Sequence, residues 1–120
     1  MSASEGTGEG MTSAPYIAIV LMESSSDSTD YVPLYQEDVV LIHAPDEDTA
    51  RRAAEERARK SESTFLNESG ETISWRLKRI VDVQEAQDAD LTRDADLYTR
   101  HFRDYDSYEK FDPLLSGEEL

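Results

Sequence analysis

Two histidines, His43 and His101, are the side chains in this 120-residue chain best suited to acid–base or metal chemistry near neutral pH. Either would need distant carboxylates to complete a site. His43 alternates with Val39 and Leu41 along an apolar run, a pattern that predicts a core-edge residue rather than a ligand. His101 lies among Asp104, Asp106 and Glu109 at helical spacing, which reads as a solvated acidic face. The run Asp88–Asp96 resembles a calcium loop, but Arg93 stands where the loop's sharp turn needs glycine and no bidentate Glu follows at the right distance. The serines of Ser24–Thr29 and Ser61–Thr64 sit in no G-x-S-x-G elbow and no S-x-x-K pair. Only five glycines occur, three of them before residue 11, and none builds a phosphate loop. No catalytic residue, metal or cofactor is assigned.

What remains is surface chemistry. Tyr98, Phe102, Tyr105, Tyr108 and Phe111 crowd the C-terminal third, with Trp75 upstream. One reading has Trp75 and Phe102 close the core while the tyrosines rim it. The other makes an interaction surface of Trp75, Tyr98, His101, Tyr105 and Tyr108, because tyrosine is favoured in contacts and the flanking Asp104, Asp106 and Glu109 would select a basic partner.

Acidic residues outnumber basic ones by 27 to 12, giving a net charge of -15 spread along the chain. That field repels phosphate backbones and anionic lipid, so neither nucleic acid nor a membrane surface is an expected partner. With no cysteine there is neither a disulfide nor a thiolate site. The apolar run Ile17–Met22 is too short to span a bilayer, and the first residues lack the basic start and apolar centre of a secretory signal; a cytoplasmic location is expected.

The elements that must carry this surface read as one domain of residues 15–111, between a disordered Gly/Ser/Glu-rich leader (1–14) and a flexible tail (112–120). Residues 16–23 predict a central strand, being apolar on both faces, and residues 24–30 a polar loop. A second strand ends at Ala44. Asp46 is a good N-cap for a helix in which Ala50, Ala53, Ala54 and Ala58 form one narrow face of small residues. A brief strand near Thr64, a turn at Gly70 and a long strand over 73–83 follow. The adjacent Ile80 and Val81 interrupt its alternation, which predicts a bulge near Arg79. Periodicity resumes over Leu97–Phe111, read as a terminal helix broken near Asp104. The fold class is therefore α+β: a mainly antiparallel sheet of three to four strands, one main helix and a short C-terminal helix.

The segments Pro33–Glu37, Val39–Ile42 opening the alanine helix, Gly70–Arg76, Asp82–Glu85 and the aromatic close Leu97–Phe102 together resemble a small bacterial family, domain of unknown function 4288, over about residues 16–103. The resemblance implies a fold and no reaction, cofactor or substrate. The functional expectation is a non-enzymatic protein-binding or accessory module. An immunity-type protein that neutralises a basic toxin is a narrower form of it, and a small enzyme with a carboxylate/His site is the rival of another class.

Overall fold

The computed structural model describes residues 12–88 and 90–117. Most of the leader therefore lies outside the described residues, as do the last three positions of the tail. Seven elements follow one another: β1 (Ala14–Ser26), β2 (Tyr35–Ala44), α1 (Glu47–Lys60), β3 (Ser63–Leu66), β4 (Thr72–Glu85), α2 (Tyr105–Phe111) and α3 (Pro113–Ser116). The four strands make one antiparallel sheet in the order β2-β1-β4-β3, with β1 paired on both sides. Central placement is what its two apolar faces require, since a strand flanked and covered on both sides has no solvent face left.

The inner face carries Tyr16, Ala18, Val20 and Met22 of β1, Ile42 and Ala44 of β2, and Val83 of β4, all buried. Helix α1 lies across it. Asp46 caps the helix, its Oδ1 accepting from the Thr49 amide at 2.7 Å. Ala50, Ala54 and Ala58 are buried against the sheet, and Ala53 is half-buried beside them. Methyl side chains let the helix backbone approach the strands closely, while its charged faces point to solvent, where Arg59 pairs with Glu55 at 3.1 Å.

Strand β4 is two residues longer than the length of β1 that it pairs with. The register skips Val81 between the pairs Ile19↔Asp82 and Val20↔Ile80, and skips Lys78 between Leu21↔Arg79 and Met22↔Leu77. These bulges flank Arg79, where the broken alternation predicts one. Side chains occupy the backbone donors beside them: Glu62 accepts from the Leu77 amide at 2.9 Å, and Asp82 Oδ1 from the Val83 amide at 2.9 Å. The extra residues bend β4 and curl the sheet.

Two expectations about the elements fail. Ser24–Ser26 belong to β1 and not to a loop. Ser24 is fully buried because every hydrogen-bonding group it carries is used: its hydroxyl donates to the Leu34 carbonyl at 3.1 Å, accepts from the Leu34 amide at 2.8 Å and meets the Tyr31 hydroxyl at 2.6 Å. Residues 97–103 are not helical. The terminal helix begins only at Tyr105, with Asp104 as its N-cap rather than as a break, the carboxylate accepting from the Ser107 amide at 3.1 Å. Within the stretch read as a tail, Pro113–Ser116 form one helical turn closed by Gly117 in the left-handed conformation at φ 78°.

Candidate binding surface

The outer face of the sheet is built by the other half of the alternation. Ile17 stands between Leu41 and Gln84, and Ile19 between Val39 and Asp82. Both isoleucines are buried although, among the described residues, no helix lies over them. The chain after β4 returns to this face: the Tyr98 hydroxyl donates to Asp82 Oδ2, and Gln84 Nε2 and Gln87 Nε2 donate to the Thr99 carbonyl and hydroxyl at 3.5 and 3.0 Å. These bonds hold residues 98 and 99 against β4 in no regular element, which is why helical spacing in the sequence does not become a helix here.

The Tyr98–Asp82 contact perturbs both partners. The Asp82 carboxyl is held below the usual carboxylate range, first by the Tyr98 hydrogen bond and then by Gln84, the Val83 amide and Arg100, against burial that raises it. The Tyr98 hydroxyl is pushed up, first by burial and then by its bond to Asp82. Asp82 is thus kept charged and Tyr98 neutral, the pairing in which the phenol donates.

Beyond Thr99 the segment leaves the sheet. Helix α2 touches α3 and, among the described residues, no other element. Phe102 stacks on Tyr108 with ring centroids 4.6 Å apart, and Tyr105 lies 6.4 Å from Tyr108. All three remain exposed, Phe102 at 56 %, and Phe111 and Leu114 are more exposed still at 78 % and 93 %. Asp104, Asp106 and Glu109 surround them at the surface.

Of the five residues read as a binding set, Tyr105 and Tyr108 come together, His101 lies exposed in the irregular segment before α2 and Tyr98 anchors the segment's root. Trp75 does not join them. It is half-buried with Val20, Met22 and Ala58, by the C-terminal end of α1 and under the opposite face of the sheet. Phe102, expected to close the core, belongs instead to the exposed cluster. Its i to i+3 and i to i+6 spacing to Tyr105 and Tyr108 was the available signal. His43 is also misplaced by the sequence reading, since it stands exposed on the outer face at the sheet edge.

A groove of about 730 Å³ opens between α1 and β2. Val20, Met22, Val40 and Ile42 form its floor, Ala53 its helix wall, and Asp38 and Arg57 its rim. Ala53, Ala54 and Ala58 line it from α1 with methyl groups only, which leaves room between the helix and the edge strand. Among the described residues no three His, Asp or Glu side chains converge to hold a metal ion, and no helix is long and apolar enough to cross a membrane.

The sequence model of a domain of unknown function (DUF4288) matches residues 15–99. The chain belongs to this family. The DUF4288 match takes in all four strands, α1 and the Tyr98 anchor, and stops before His101 and the aromatic cluster. Comparison with curated proteins and with solved structures finds no match.

Proposed function

We propose that this DUF4288 protein is a non-enzymatic protein-binding or accessory module of the bacterial cytoplasm, and that its terminal segment meets a basic protein partner. One observation carries the reading: Phe102, Tyr105 and Tyr108 form an exposed aromatic cluster, and among the described residues helix α2, which carries the two tyrosines, touches only α3. Exposed aromatics in a contiguous patch gain contact area at small entropic cost when a partner covers them. The acidic side chains around them add steering toward cationic surfaces.

Affinity capture on the intact chain and on a Phe102→Ala/Tyr105→Ala/Tyr108→Ala variant tests this. The variant keeps Tyr98 and therefore the anchor on the sheet. A basic protein held by the intact chain and lost by the variant, then reproduced with the purified partner, supports the proposal. Equal capture by both removes the terminal cluster as the binding surface.

A further inference from the structure

Strand β2 is an edge strand of ten residues, and its open side is covered by no element among the described residues. The parity of its hydrogen bonding follows from the pairing. Leu34, next to β2 in an unbroken register with β1, accepts from the Ser24 amide at 2.9 Å, so its backbone groups point toward β1. Alternate residues of the strand do the same. Tyr35, Glu37, Val39, Leu41 and His43 therefore direct their N–H and C=O groups to the open edge. The side chains of these five residues lie on the outer face, where Val39 is 64 % and Leu41 44 % exposed. Of the devices that blunt exposed edges, β2 has no lysine, proline or bulge, and its two carboxylates, Glu37 and Asp38, precede an unguarded apolar run, Val39–Ile42.

We propose that two copies of this chain join at this edge, β2 antiparallel to β2 about a two-fold axis through Val40, uniting two four-stranded sheets into one. Any two-fold axis through a residue satisfies the hydrogen-bond parity; axes through Val39 and Val40 overlap the ten-residue strands most fully, and the side chains choose between these two. Centred on Val40, Val39 faces Leu41 of the other copy and Glu37 faces His43, so apolar meets apolar and the carboxylate meets the imidazole at both ends. Centred on Val39, Glu37 would face Leu41 and Tyr35 would face His43. The first arrangement is self-complementary in polarity and charge, and it continues the outer-face stripe of Ile17 and Ile19 across the junction. On the inner face Asp38 falls opposite Ile42 but opens onto the groove that Arg57 also lines. The net charge of -15 on each copy opposes association at low ionic strength.

Sedimentation equilibrium of the full chain in about 0.3 M salt, where that repulsion is screened, is expected to give a monomer–dimer equilibrium. Glu37→Lys and His43→Glu should each weaken dimerisation roughly 2- to 30-fold, because each disturbs both symmetric pairs. The double variant Glu37→Lys/His43→Glu should recover it. The chain's lack of cysteine allows a direct register test. Val40 sits opposite its own copy in a non-hydrogen-bonded pair, where Cα atoms lie about 4.5 Å apart and a disulfide can form. Val40→Cys should cross-link on oxidation and Val39→Cys should not. Cross-linking by Val39→Cys in place of Val40→Cys would overturn the register. A monomer at every concentration up to about 1 mM, or weakening that the double variant does not reverse, would overturn the dimer itself.

Discussion

Replacing Tyr98 by Phe deletes one hydroxyl and keeps the ring, so it isolates the bond that ties the terminal segment to the sheet. A hydrogen bond to a charged group is worth about 1.5–3 kcal/mol, and the half-exposed position lets water replace part of it, leaving about 1–2 kcal/mol. For a domain of this size that is a fall in Tm of about 4–16 °C. The pH dependence identifies the cause. The depressed Asp82 pKa contributes stability that is complete above the ordinary aspartate value of about 3.9 and is lost as pH falls through the lower folded value. The raised Tyr98 pKa contributes stability that is complete below about pH 10 and is lost as pH rises through the higher folded value. The gap between the two proteins should therefore be widest around neutrality and narrow at both extremes. Thermal unfolding followed by circular dichroism at pH 3, 5, 7 and above 10 measures it. A gap that does not change with pH, or a Tm unchanged at pH 7, would refute the anchor.

Three further outcomes are expected. Ala54→Asp places a charge in a fully buried position against the sheet and should cost several kcal/mol, enough to abolish the cooperative thermal transition; an unchanged Tm would mean that α1 faces the sheet with another side. Ser24→Ala strands the Leu34 amide next to a buried position and should cost about 1–3 kcal/mol by denaturant titration, with m unchanged. Neutralising Asp104, Asp106 and Glu109 together should slow association with a basic partner more than it speeds dissociation, with added salt mimicking the change; an effect confined to dissociation would rule out steering.

Elements whose residues answer to one local rule were legible in the sequence. The two apolar faces of Tyr16–Met22 require a strand inside the sheet, and the alanine spacing of α1 matches the face it buries. One bulge could be read because Ile80 and Val81 cannot both face inward from a regular strand; the second, at Lys78, left no break in the alternation of Ile73, Trp75 and Leu77. Illegible positions were those decided by distant partners. Ser24–Ser26 look like a loop until Leu34 and Tyr31 satisfy the buried hydroxyl. Tyr98, Phe102 and Tyr105 have helical spacing, yet the bonds from Tyr98 to Asp82 and from Gln84 to Thr99 outweigh local helix formation in the segment's first half. Of the candidate surface, Tyr105 and Tyr108 were visible as tyrosines among acids. The separation of Trp75 from them depends on which side of β4 it occupies, and the bulges at Lys78 and Val81 change how far that parity can be carried along the strand.

Backbone amide exchange of the intact chain, free and with a basic protein recovered by the affinity capture, tests most directly whether the terminal segment is the binding surface. In the free chain the amides of β1 and α1 should be protected while those of Tyr105–Phe111 exchange nearly as fast as an unfolded peptide, because among the described residues α3 is the only element that touches that helix. Partner binding should slow exchange in Tyr105–Phe111 and leave β1 unchanged. Protection appearing along the α1 groove or the outer sheet face, with Tyr105–Phe111 still exchanging freely, would contradict the account.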